Sequence, residues 1–173
     1  MKKPLFKWQL SGFIFTSIAG VLLHFLFDWS GGSIIVAPFS AVNESVWEHM
    51  KLLFFSLFIF ALVESRYINN NFWCVKLIGI VLGVMLIPVL YYFINGAFGL
   101  TPGWVNISLY FIAAAASYMI ENCLFKLNRP ICKSPRTALV ILWIIAWVFV
   151  IFTFAPPRIP LFEDPITGEY GFQ

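Results

Sequence analysis

Five apolar runs, each close to the ~20 residues that a helix needs to cross a bilayer, constrain this chain more than any other feature. They cover roughly Trp8 to Phe27, Asn43 to Glu64, Phe72 to Phe93, Trp104 to Leu124 and Thr137 to Phe154. In hydrocarbon each backbone polar group has to be satisfied within the chain, so the runs predict an all-α bundle of five spanning helices. Composition agrees, because 61% hydrophobic residues, 11% charged residues and a mean hydropathy of +0.88 leave too few charges for a water-facing surface. Residues 1–157 read as the transmembrane domain and 158–173 as an extended, Pro-rich tail. The bilayer is the expected partner, and self-association is compatible with the pattern.

Basic residues divide unevenly between the two sets of helix ends. With the N-terminus inside, nine lie on the cytoplasmic side: Lys2, Lys3, Lys7, Arg66, Lys76, Lys126, Arg129, Lys133 and Arg136. Only Lys51 and Arg158 lie outside. The bias predicts an N-in, C-out protein of the cell (plasma or inner) membrane, and it accounts for the positive net charge without a nucleic-acid footprint. The first run lacks a small-x-small cleavage pattern before its acidic end and reads as a permanent span. The basic stretch from Lys126 to Arg136 reads as a topology anchor. Cys74, Cys123 and Cys132 fall on the inner side, where thiols stay reduced, so no disulfide is expected.

Packing cues are those of a helical membrane bundle. Gly79 and Gly83 form a small-xxx-small face on the third span, and Ala113 to Ala116 give the fourth a low profile. Trp29, Trp47, Tyr91, Tyr92 and Trp104 suggest an aromatic belt on the outer side. Pro88 removes one backbone hydrogen bond from the third span.

Ionisable groups concentrate at the outer rim of the first two spans. His24 and Asp28 stand one turn apart at the end of the first helix. Asn43 suits an N-cap and Glu44 a first helical turn, and Glu44, Glu48 and Lys51 fall within about 60° of arc, with His49 about 100° further round. A rise of about 1.5 Å per residue sinks Glu48 and His49 roughly 6–8 Å below that helix start, and Lys51 about 10 Å. Ionisable groups at such depth are expensive in hydrocarbon and are expected to gather in a polar cavity between the first two helices, open to the outside. Glu48, His49 and His24 are the candidate catalytic residues, and Asp28, Asn43, Glu44, Lys51 and Arg158 the candidate binding residues. Imidazole and carboxylate together suit zinc or a similar divalent ion, for which His24, Glu48 and His49 are the candidate ligands, although neither a His-Glu-x-x-His nor a Glu-x-x-His run is present. A structural Glu48–Lys51 ion pair is the competing reading. Glu64 and Glu121 read as interfacial, with Arg66 or Lys126 close enough to neutralise them.

The tail carries Pro156, Pro157 and Pro160, then Asp164-Pro165 and Gly168, a pattern of extended chain followed by a turn. Leu161, Phe162 and Tyr170 call for burial. A tail folded over the outer mouth would let Arg158 pair with Asp28 or Glu44; a tail resting on headgroups is the alternative.

The His24 to Asp28 helix end, the segment Asn43-Glu44-Ser45-Val46-Trp47-Glu48-His49-Met50-Lys51-Leu52 and the run Pro160-Leu161-Phe162-Glu163-Asp164-Pro165 together resemble a family of small bacterial multi-pass membrane proteins of unknown function. The resemblance covers most of the chain. It implies a bacterial inner-membrane protein and brings no activity, substrate or cofactor. Three function classes stand open: a membrane-embedded metal- or acid/base-dependent enzyme on a lipid or envelope substrate, a small transporter or proton-relay protein, and a non-catalytic assembly partner. A lipid or small-molecule ligand is compatible with the first two.

Overall fold

A computed structural model describes residues 2–68, 71–99, 103–127 and 130–172. Within them the chain forms five helices, α1 (Lys2–Trp29), α2 (Val46–Glu64), α3 (Phe72–Phe98), α4 (Gly103–Lys126) and α5 (Pro135–Phe154). All five are long and apolar enough to cross a membrane. Arg129, counted above among the basic residues of one rim, lies outside the described residues.

One helix is enclosed by the others. In α2, 83% of the apolar window is buried, against 17% to 39% in the other four. It packs chiefly against α1 and α3 and also touches α4 and α5. A helix that is apolar all round belongs inside a bundle, and α2 presents Phe residues in every direction. Phe54 meets Phe149 of α5, Phe58 meets Trp143 of α5, and Phe60 meets Trp8 of α1 and Tyr118 of α4. Trp143 and Trp147 remain largely exposed on the outward face of α5, where lipid would cover them.

The closest helix pair is α3 and α4. Gly79 and Gly83 face Glu121 and Ser117, and Ser117 Oγ donates to the carbonyl of Gly79 at 2.9 Å. Ala113 and Ala114 are fully buried in the same seam, so the small residues of the two helices meet each other.

Two segments close the rim at which α1 ends and α2 begins. The loop from Ser30 to Ser45 buries Ala37 and Ser40 completely and sets Phe39 on Phe55. The tail folds back from α5: Trp47 N–H donates to Leu161 O, Phe172 N–H donates to Thr153 O, and Asn43 Nδ2 donates to Gly171 O. A turn at Asp164 and a bridge between Glu163 and Tyr170 hold its tip. Phe162 is 4% exposed and stacks on Trp47. Trp47 is thus interior, a correction to its place in the aromatic belt, whereas Trp29, Tyr92 and Trp104 are exposed as a belt requires.

Two local expectations are also corrected. Ser45, not Asn43, caps α2: its hydroxyl accepts from Glu48 N–H at 3.4 Å, while Asn43 Oδ1 accepts from Ser45 N–H in the preceding turn. Both residue types suit a cap, and the extra turn at Asn43 moves the helix start on to Val46, leaving Glu44 outside the helix. Cys74, in the first turn of α3, is joined to Cys132 in the segment before α5, with Cα atoms 5.9 Å apart; Cys123 is a free, exposed thiol. The expectation of three separate thiols rested on compartment and on the absence of a Cys-x-x-Cys spacing, while the chain brings these two distant segments within disulfide reach.

Candidate functional site

The titratable residues of the tail-side rim sort into two groups. The first joins His24 of α1, Glu44 of the loop and His49 of α2. Glu44 lies between the imidazoles, with Oε1 3.4 Å from His24 Nε2 and Oε2 3.8 Å from His49 Nε2. One ligand-capable atom from each residue falls within 4.8 Å of the others. His49 Nδ1 stands 2.9 Å from the carbonyl of Ser45. A carbonyl only accepts, so Nδ1 carries a hydrogen, and whenever the ring is neutral the lone pair is on Nε2, the nitrogen that faces Glu44. The group is partly accessible, with side-chain exposures of 25% for His24, 40% for Glu44 and 12% for His49.

The second group is sealed. Lys51 Nζ lies 2.6 Å from Glu48 Oε2, 3.0 Å from Ala37 O and 2.9 Å from Thr153 Oγ1, so all three ammonium hydrogens have acceptors. Glu48 Oε2 also accepts from Val42 N–H at 3.0 Å. The pair therefore ties α2 to the loop on one side and to α5 on the other. Glu48, grouped with the imidazoles in the sequence reading, is engaged here instead, and Glu44 occupies the place beside them. Position on one helix cannot foresee this, since Glu44 reaches the histidines only because the helix starts after it.

A pocket opens beside the histidine group. It is lined by Glu44, Val46, His49, Ile87, Tyr91, Asn106 and Leu109. It lies between the start of α2 and the helices α3 and α4, whereas the sequence reading expects a cavity between α1 and α2. Asn106 Oδ1 is buried there without a hydrogen-bond donor. Asp28 and Arg158 are exposed, and among the described residues neither takes part in an ion pair, so the tail docks through Phe162, Phe172 and backbone hydrogen bonds rather than through Arg158.

The opposite rim holds a group that the sequence reading missed. Glu64 and Glu121 are each 0% exposed, and Lys76, counted among the bases of the cytoplasmic side, is 1% exposed. Lys76 Nζ sits 2.5 Å from a carboxylate oxygen of each. Arg66 and Lys126, expected to neutralise these acids, are exposed. The available signal was a lysine four residues inside an apolar run, since a charge at that depth calls for buried partners.

A helical membrane protein built around one enclosed span, with two imidazoles and a carboxylate gathered at a rim, is the class that this fold and site define. The chain belongs to a family of unknown function, DUF6512, whose family model matches residues 1–172. No curated protein and no solved structure matches it.

Proposed function

We propose that the protein is a membrane-embedded, metal-dependent enzyme that binds a divalent ion of the zinc class at His24, Glu44 and His49 and acts on a lipid or envelope substrate entering the adjacent pocket. The observation that carries this reading is the convergence of two imidazole nitrogens and a carboxylate within 4.8 Å. Two ligands about 2.0–2.1 Å from zinc at tetrahedral angles stand about 3.4 Å apart, which is the His24–Glu44 separation. Two histidines and one carboxylate leave a coordination position for water or substrate, as catalytic rather than structural zinc sites do. The hydrogen bond from His49 Nδ1 to Ser45 O fixes the tautomer that a ligand needs. Beside the group, Val46, Ile87 and Leu109 offer apolar walls and Asn106 an unmet acceptor, a small lining that a hydroxyl or amide donor at a lipid's polar end would satisfy.

In this reading Glu48 and Lys51 hold the scaffold, and Asn43 anchors the tail. The base count favours the extracytoplasmic side for the site, and the family resemblance favours a bacterial inner membrane. Elemental analysis of purified, chelator-treated and zinc-reloaded protein tests the proposal. Wild type is expected to retain one zinc per chain, with retention lost in His24→Ala, Glu44→Ala and His49→Ala and kept in Asp28→Asn. Equal zinc in wild type and the three alanine variants would overturn it. A proton-coupled flux in vesicles that survives those alanine substitutions would redirect the reading to transport.

A further inference from the structure

The buried group at the opposite rim stands apart from the proposed metal site and does not depend on it. Gln9 of α1, Glu64 of α2, Lys76 of α3 and Glu121 of α4 meet where four helices converge, and none is more than 5% exposed. Gln9 Nε2 donates to Glu64 Oε1 at 3.2 Å, and Lys76 Nζ lies 2.5 Å from Oε2 of each glutamate. With both carboxyls ionised and the lysine protonated, the group would carry one net negative charge. Among the described residues no second cation lies against it. Tyr118 of α4 turns its ring toward Lys76, but its hydroxyl is hydrogen-bonded to Thr16 of α1. Phe72 of α3 covers the ammonium from the other side. Arg66, Lys126, Lys133 and Arg136 at this rim are exposed, and among the described residues none of them pairs with the group.

The hydrogen count is short in the same direction as the charge. Gln9 Oε1 and Glu121 Oε1 are buried without a hydrogen-bond donor, and Gln9 neighbours both carboxyls. One proton on a carboxyl oxygen would bring the net charge to zero and add the absent O–H donor. Burial in a low-dielectric interior favours the neutral arrangement over the charged one. The geometry points to a buried binding site for one dissociable proton, held on the unpartnered oxygen of Glu121 beside the ammonium of Lys76, with Glu64 and Gln9 completing the site. Proton loss would leave an uncompensated carboxylate at the junction of α1, α2, α3 and α4, so the site couples a single protonation event to the packing of four helices.

The test is infrared spectroscopy of the full-length protein in lipid nanodiscs, titrated with pH in H2O and D2O. At neutral pH a protonated-carboxyl C=O band is expected, moving in D2O and fading as pH rises. It should disappear in Glu121→Gln or in Glu64→Gln, and stay in Glu48→Gln and in His24→Ala, the latter separating this site from the rim histidines. Each single glutamine variant mimics the protonated acid and should fold; the double variant leaves Lys76 without a counter-charge and should unfold more easily than either. Absence of the band from wild type across the pH range in which the protein is folded would overturn the proposal without recourse to any variant. So would a band that persists unchanged in both single variants.

Discussion

Replacing Lys51 with Met should be among the most damaging single changes available in this bundle. The ammonium has three short contacts: Glu48 Oε2 at 2.6 Å, Thr153 Oγ1 at 2.9 Å and Ala37 O at 3.0 Å. Methionine preserves most of the volume, so the change isolates charge and hydrogen bonding from packing. It leaves the Glu48 carboxylate buried with only the Val42 N–H to support it. Removing one partner of a buried ion pair costs about 3–5 kcal/mol, because the remaining charge stays desolvated. At 1.4 kcal/mol per tenfold, that is a fall of about two to three and a half orders of magnitude in the folding equilibrium. Thr153→Val removes one of the three acceptors and no charge, and is expected to cost about 1 kcal/mol. Equilibrium unfolding in mixed micelles, followed by tryptophan fluorescence, to which Trp47 contributes, measures these differences. Replacing both Glu48 and Lys51 with Met should recover at least half of the loss, since no charge is then stranded. A Lys51→Met variant within about 1 kcal/mol of wild type would refute the reasoning, because it would place the pair below the expected range for a buried ion pair. A double variant worse than the single would refute it equally.

Three further outcomes follow from particular contacts. Gly83→Leu should cost about 1–3 kcal/mol by forcing α3 from α4, since even a Cβ there meets Ser117 and the Ala113 carbonyl; Gly96→Ala, with open space around it, should be neutral in the same unfolding assay. Maleimide labelling of unfolded, unreduced protein should modify Cys123 alone, and reduction should add Cys74 and Cys132; three reactive thiols before reduction would contradict the disulfide. Labelling Cys123 from one side of sealed vesicles also tests the orientation, because the base count assigns it to the compartment in which disulfides are uncommon. Tyr170 donates a hydrogen bond to Glu163 at 2.9 Å, and the carboxylate raises its phenol above the ordinary value. A raised folded-state value means that this bond is fully present below the ordinary tyrosine range and is lost as pH rises through the raised one. Alkaline pH should therefore increase protease cleavage within the tail of wild type, and Tyr170→Phe should lack that step.

The spans were legible because length and hydropathy decide them almost alone. Their ends were less so: α1 begins at Lys2, α3 runs on to Phe98 and α4 to Lys126, since helices continue past the hydrocarbon into polar sequence that a hydropathy window discounts. The importance of the ionisable residues at the start of α2 was legible from their depth. Which residue each would face was not. Glu48 and Glu44 lie on one arc of an idealised helix, but the cap at Ser45 takes Glu44 out of that helix and the loop carries Ala37 down to Lys51. At the far rim, proximity to helix ends suggested solvated acids. Only the arrangement of four helices shows that Glu64, Lys76 and Glu121 point at one another, a matter of helix rotation about which an apolar sequence with little periodicity is silent.

The enclosure of α2 bears on how the chain is made. This span leaves the ribosome about 90 residues before Thr153, the hydroxyl that meets its lysine, and the tail that caps Trp47 follows later still. Until α5 and the tail are made, the charges of α2 must wait, half-housed, for neighbours that do not yet exist. Chains halted before α5 would present that unfinished seam to the membrane's quality-control proteases.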